Sequence, residues 1–389
     1  MVAPGPDFQL VTDIFSKAVQ LEGDARRRLL DEECGDDGAL RREVERMLSH
    51  DDVDAPDLFT DSRILEGRRA LDRAAIRLID DLPDRIGAWR VGARISSGGG
   101  GSRFRVTHAD DERAARLVAL ETVADDALAA RVAADGAILA ALRDAALVEV
   151  HEVGLFDGKD GRRPYLITSL PPKRNLTRYV TDARLDPLGR AELVARVADA
   201  VERAHAAGLM HRALTAKHVL VEDDAAGAPR LRVDGVGVTA WTGHDLREPT
   251  SRELLTKAPE QANRDAAAVG PATDVYLLGL MAYDLIAGRP ALDVIGRRTH
   301  EAVRILNEDP PPPMSRGDKR FPKRLEEAVG TALAKAPRDR HPTAAAFAAA
   351  LRDAVRFERD RPRRVALRVG LGVVLAGAVI SALAFAGVL

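Results

Sequence analysis

Near Ile86 the spacing of apolar residues changes, and that change limits the fold more than any other feature of the chain. Before it, helical spacing prevails: FQLVTDIFSKAVQL sets Phe8, Val11, Ile14, Phe15 and Ala18 on one face. ARRRLLDEECG closes at Gly35, a suitable helix C-cap, and Asp37 can cap the following ALRREVERMLSH. Residues 51–84 are more polar, with a further helix expected around 62–80. After the change, IGAWRVGARIS and SRFRVTHAD read as strands around a glycine-rich turn. ARLVALETV reads as a third strand, AARVAADGAILAALR as a helix and RPYLITSL as another strand. Beyond about Asp186 the chain is mainly helical. The expected fold class is α+β: a helical module and linker over residues 1–80, then a bilobal body. DPPPPM (Asp309–Met314) reads as a stiff loop between helices.

The far end obeys another constraint. Val369–Leu389, VGLGVVLAGAVISALAFAGVL, holds no charged residue. As a helix it would be roughly 31 Å long, about the thickness of a bilayer's hydrocarbon core. Residues 356–368 form a basic juxtamembrane segment containing Arg356, Arg359, Arg361, Arg363, Arg364 and Arg368. Arginines beside a span stay on the cytoplasmic side. The expectation is a single-pass, C-terminal anchor in the inner (cytoplasmic) membrane, with the bulk of the chain cytoplasmic. Gly372/Ala376 and Gly377/Ser381 have the small-residue spacing of a homodimer seam.

Composition excludes some functions. The formal net charge is −2, which gives no support to nucleic-acid binding. The single cysteine, Cys34, rules out an internal disulfide framework and fits a reducing compartment. His205, His211 and His218 are close in sequence, but no thiolate or evident carboxylate completes a metal set, so no metal site is expected.

An ordered series of motifs carries a family resemblance. SSGGGGSRF, VALE, HRALTAKHVL, GVG, APEQ, DVYLLGLMAYDLIAGRP and a late Arg340 follow one another. In that order, residues 86–355 resemble bacterial serine/threonine protein kinases, with a small lobe of about 86–170 and a large lobe of about 171–355. The resemblance covers about 70% of the chain. It implies a cleft for ATP and magnesium, where catalysis is positioning and charge neutralisation around a polyanion.

Laid against that family, the reacting positions are degenerate. Glu121 takes the place of the strand-three lysine and Asp135 that of the helix glutamate that orients it. Ala213 stands for the catalytic aspartate, Thr215 for the following lysine and His218 for the magnesium-binding asparagine. Gly235 stands for the metal-binding aspartate. Ser96 replaces the first glycine of the phosphate loop, leaving Gly98, Gly99 and Gly101, and Arg103 replaces its valine. Unit charges ~4 Å apart at an effective dielectric of ~20 interact by about 4 kcal/mol, so Glu121 would repel a phosphate. Arg103 either pairs with Glu121 and fills the nucleotide pocket or lies exposed on its strand. Asp234 neighbours the metal position, but a shift of one residue along an extended segment would turn it away. Lys217 is displaced by two places from the family lysine.

The residues that support the fold persist. His211 and Arg212 match the catalytic-loop frame, Asp274 the carboxylate that ties this loop to a core helix, and Glu260 and Arg340 a buried ion pair. Thr239, Thr242, Thr250, Ser251 and Thr256 lie in the activation-segment region and could receive phosphate from an active kinase partner. The resemblance therefore implies a pseudokinase that scaffolds or regulates protein partners, with no cofactor and no metal. The alternative is a divergent kinase that binds ATP and magnesium weakly or retains residual phosphotransfer.

Overall fold

A computed structural model describes residues 82–98, 101–172, 174–224, 226–242, 249, 253–295, 297–316 and 321–360, and, near the N-terminus, residues 14, 23–35, 37, 40–41 and 44–45. The chain divides into two compact units, Met1–Asp80 and Asp81–Leu389.

In the first unit α1 spans Gly23–Cys34. It ends where Gly35 takes φ +49°, a backbone conformation glycine adopts without a Cβ penalty. The backbone N–H of Leu40 donates to Asp37 Oδ1 at 3.0 Å, so Asp37 caps as its position suggested. Ile14, Leu30, Cys34, Leu40 and Val44 form a small buried cluster. Burial pushes the Cys34 thiol up.

The second unit opens with β1 (Arg85–Ile86), β2 (Trp89–Gly98), β3 (Gly101–His108) and β4 (Ala114–Leu120). Helix α2 (Asp126–Ala141) follows, then β5 (Val150–Gly158) and β6 (Gly161–Ser169). The strands form one six-stranded sheet of order β1-β2-β3-β4-β6-β5, antiparallel throughout. Asp125 starts α2 by accepting from the Leu128 N–H at 2.8 Å. A Cβ on Gly136 would lie 2.9 Å from Val153, so the helix can approach β5 only through a glycine. Glu152 on the edge strand β5 accepts from Trp89 Nε1 of β2 at 3.0 Å and from the Tyr165 hydroxyl of β6 at 2.6 Å.

The larger lobe begins with β7 (Arg174–Asn175), α3 (Leu176–Asp182) and α4 (Pro187–Ala206). Strands β8 (Val219–Asp223) and β9 (Pro229–Val233) complete a three-stranded sheet, β7-β8-β9. Then come the one-turn helices α5 (Thr239–Thr242) and α6 (Pro259–Ala262) and the central helix α7 (Pro271–Ala287). Helices α8 (Thr299–Glu308), α9 (Lys323–Ala332) and α10 (Ala344–Arg359) complete it. Helix α7 is apolar on nearly every side because α4, α9 and α10 all pack against it. The proline run connects α8 to α9 as a loop, with Pro312 accepting from the Tyr283 hydroxyl at 2.7 Å. A short backbone link joins the lobes: Val148 N–H donates to Val233 at 2.9 Å, and Val233 N–H to Ala146 at 2.8 Å.

Among the described residues no helix is long and apolar enough to cross a membrane. The span expected at Val369–Leu389, most of its basic flank and the helix expected around 62–80 lie outside the described residues.

Candidate functional site

Between the lobes lies a cavity of about 240 Å³. Its roof comes from the sheet: Arg103 on β3, Arg116 and Val118 on β4, and Leu166 on β6. Its floor comes from His211, Arg212, Ala213 and His218, from Asp234 and Gly235 after β9, and from Glu253, Lys257 and Gln261.

Arg116 and Asp234 dominate the deep wall. The guanidinium donates from Nη1 and Nη2 to the two carboxylate oxygens at 2.7 and 2.6 Å, and from Nε to the Thr168 hydroxyl at 3.2 Å. Arg116 is 5% exposed. Burial pushes the Asp234 carboxyl up, but Arg116, His218 and Arg103 outweigh it, so its pKa falls below the ordinary value. Arg103 lies within the field of both: burial pulls its guanidinium down, Asp234 opposes that pull and Arg116 adds to it.

The loop His211–His218 is held from its backbone. Asp274 on α7 accepts from the His211 N–H at 2.8 Å, from the Arg212 N–H at 2.7 Å, and pairs with His205 Nε2 at 2.8 Å. Burial pushes the Asp274 carboxyl up, but these donors and the nearby His211 bring it below its ordinary value. Arg212 takes φ +63°, a strained conformation for a residue with a Cβ. It is retained because Asp274 holds its N–H and Gln261 Nε2 donates to its carbonyl at 2.7 Å. His211 Nδ1 accepts from the Ala213 N–H at 3.4 Å, so Nε2 carries the proton and donates to the Asp234 carbonyl at 2.9 Å. Burial keeps both imidazoles neutral at ordinary pH, with His218 pushed down to about 3. Its Nδ1 faces the Thr215 hydroxyl at 3.1 Å. Among the described residues no group of histidine, cysteine or carboxylate side chains is placed to hold a metal ion.

Three expectations for the cleft are corrected. Glu121 follows the last residue of β4, is exposed and does not line the cavity. Arg116 and Val118 face the cleft, so Glu121, with Ala119, has the opposite parity. Both faces of β4 are buried, so no apolar–polar alternation revealed which parity points inward. Neither alternative for Arg103 holds: it neither pairs with Glu121 nor lies exposed, but is half-buried in the field of Asp234 and Arg116. Asp234 itself points into the cleft, not away from it. Strand β9 ends at Val233, so strand alternation no longer governs the next residue.

Other predicted positions spread out. Ala213 and Gly235 line the cavity with no functional group; Gly235 takes φ +82°. Asp135 does not line it and instead accepts from Trp241 Nε1 at 2.9 Å. Gly98 and Gly101 pair across the β2–β3 hairpin, outside the lining; Gly99 lies outside the described residues. Thr215 and Lys217 face a separate groove of about 690 Å³ with Leu277, Met281 and Asp284. Thr239, Thr242 and Thr256 line the cleft, while Thr250 and Ser251 lie outside the described residues. Glu260 and Arg340 form the expected buried pair, two hydrogen bonds of 2.8 Å. Lys257 and Arg116 are the cleft cations that the motif reading overlooked. A lone arginine inside an otherwise apolar strand was the available signal for Arg116.

The two lobes, the cleft between them and the Asp274-braced loop define a protein-kinase-like domain. Residues 131–233 match the lipopolysaccharide kinase (Kdo/WaaP) family. Serine/threonine-protein kinase PknL of Mycobacterium tuberculosis is 30% identical over 279 residues, 68% of this chain and 64% of that protein. PknA of the same organism is 28% identical over 288 residues, 71% of this chain and 63% of PknA. The probable serine/threonine-protein kinase PknB of Corynebacterium glutamicum is 27% identical over 274 residues, 68% of this chain and 41% of PknB. The chain thus spans less than two thirds of these curated relatives. The crystal structure of the M. tuberculosis PknI kinase domain shares the fold at TM-score 0.53 and 24% identity, covering 70% of this chain and 99% of that one. These homologues are bacterial serine/threonine protein kinases, and the chain shares the kinase-like fold.

Proposed function

We propose that this protein is a membrane-anchored pseudokinase, a scaffold or allosteric regulator of protein partners in cytoplasmic signalling. One observation carries the reading. Asp234, the carboxylate on the deep wall of the cleft, is bonded by both oxygens to Arg116, and Ala213 offers no base beside it. Magnesium needs carboxylate and phosphate oxygens, and here the carboxylate is already committed to a guanidinium. General-base help to a substrate hydroxyl needs a proton acceptor within hydrogen-bond reach, and alanine has none. The supports that remain, Asp274 beneath the loop and Glu260 with Arg340, preserve a surface rather than a reaction. The uncharged run Val369–Leu389 and its arginine flank support the anchor.

The test is transfer of label from γ-labelled ATP, with magnesium or manganese, to the protein itself and to a generic basic protein. The expected result is no incorporation above the protein-free control. Incorporation that disappears on Asp234→Ala would overturn the reading.

A further inference from the structure

The sheet face that roofs the cleft continues, past Arg116, onto a row of exposed arginines. Arg85 on the edge strand β1 stands directly opposite Arg90 on β2. Arg90 stands opposite Thr107 on β3, which puts Arg105 on the diagonal of the same face, about 7–8 Å along. Arg105 in turn stands opposite Arg116 on β4. Like charges set directly opposite each other destabilise a sheet. Arg116 is matched by Asp234. Arg85, Arg90 and Arg105 are exposed, and among the described residues their side chains form no hydrogen bond or ion pair. Asp84, beside Arg85 in sequence, offsets at most one of the three charges.

The row lies at the end of the sheet nearest the crossing between lobes. Thr107 pairs with Ala114, and the next residue, Ala115, pairs with Ser169 at the end of β6. From there the chain passes through α3 to the start of α4. Helix α10 runs antiparallel to α4: the Ala345 N–H donates to Glu202 at 3.1 Å, and Arg352 pairs with Glu192 at 3.6 Å. The end of α10 at Arg359 therefore lies beside the start of α4. Nine residues, 360–368, separate it from the uncharged run Val369–Leu389. Fully extended they reach at most about 32 Å. A body so tethered to a bilayer meets the headgroups at high effective concentration. The cytoplasmic leaflet is negatively charged and attracts arginines that come within a Debye length of it. Guanidinium N–H forks also match the oxygens of a phosphodiester. Protein interfaces centre on an apolar core, and the side chains between these arginines, Thr107 and Ala114, supply none. An acidic protein is therefore the weaker guest.

We propose that Arg85, Arg90 and Arg105 form a docking surface for anionic phospholipid headgroups, which lays the small lobe against the membrane that anchors the chain. The inference rests on the anchored reading and goes beyond it. An anchor alone leaves the body free to turn, whereas a docked small lobe fixes which of its surfaces face the cytoplasm and so which a partner meets.

The experiment places the full chain in lipid nanodiscs of phosphatidylcholine, alone or mixed with phosphatidylglycerol, that carry an acceptor dye on the lipid. A donor dye is attached at Asp110→Cys on the small lobe or, separately, at Glu327→Cys on the large lobe; both positions are exposed, and the native Cys34 is buried. The expected result is energy transfer from position 110 that rises with phosphatidylglycerol and falls back in high salt, with a smaller change at position 327. The docked-to-free ratio should fall about fivefold for each arginine changed in Arg90→Gln and in Arg85→Gln/Arg90→Gln/Arg105→Gln. Equal transfer from position 110 in neutral and anionic discs overturns the inference and leaves the anchor standing. So does an unchanged ratio in the triple variant, or an equal rise at both labelled positions. Displacement of the small lobe by soluble poly-glutamate at a charge concentration below that of the lipid overturns it in favour of an acidic protein. Neutral discs that fail to retain the chain overturn the anchored reading instead. Binding of the wild-type chain and the triple variant to phosphatidylglycerol vesicles then decides the arginine row by itself, equal binding overturning it.

Discussion

Arg116 and Asp234, 118 residues apart in sequence, meet in two near-parallel hydrogen bonds across the cleft, one from the upper sheet and one from the lower lobe. Both side chains are largely removed from water, 6% and 17% exposed. The pair is at once a clasp between lobes and the occupant of the deep wall of the cleft.

Removing one partner of this clasp leaves the other ionised and buried. Arg116→Met is therefore expected to cost about 3–5 kcal/mol of unfolding free energy. The double variant Arg116→Met/Asp234→Asn should recover a large part of that loss. Urea denaturation of the four proteins, read as a double-mutant cycle, checks the coupling.

Acid should weaken the protein in two stages. His211 and His218 are buried as neutral rings with depressed pKa values, while the unfolded chain binds their protons near the ordinary 6.5. Their stabilising effect is full above pH 6.5 and is lost as pH falls from there toward about 3, where His218 titrates in the fold. The depressed carboxyls of Asp234, Glu260 and Asp274 act lower. Their contribution is full above the ordinary carboxylate range and is lost as pH falls through their lowered folded values. Urea midpoints at pH 7 and pH 5 should already differ, and His218→Asn should flatten that first stage.

The Trp241 indole is fully buried and donates to Asp135 of α2, and the Thr122 hydroxyl donates to the Thr242 carbonyl at 3.3 Å. Asp135→Ala should cost about 1.5–3 kcal/mol, the range for a hydrogen bond to a charged group. Trp241→Phe keeps most of the apolar contact and loses the donor, so it should cost no more. Amide hydrogen exchange over Val238–Thr242 should accelerate in both, with little change in α10.

Deleting Val369–Leu389 should move the protein from the membrane pellet to the soluble fraction of a bacterial lysate. Retention in the pellet after a high-salt wash, for the truncated chain, would count against the anchor. The arginine flank alone gives only salt-sensitive attachment.

The larger lobe was easy to read because its signals are local and ordered. Asp274, Glu260 and Arg340 stand at positions that the ordered motifs and the resemblance mark; Asp274 holds the His211–Arg212 backbone, and Glu260 pairs with Arg340. The smaller lobe was harder for a physical reason. A strand buried on both faces carries no alternation, so nothing in its pattern marks the parity of Arg116 as the one that faces the cleft. Strand β5 escaped notice because most of its residues are only half-buried and its polar pattern, VHEVGLFDG, does not stand out. The direction of Asp234 is not set by strand alternation, because β9 ends at Val233. The lining of the cleft is drawn from residues 103 to 261, and no local window of sequence contains it.

The Trp241–Asp135 bond joins the helix of the upper half to the stretch that follows Val238, so the two form one mechanical lever. A protein that grips α2 from outside would pull on Thr239 and Thr242 at the rim of the cleft. Pressure at that rim would be felt, in turn, on the outer face of the helix.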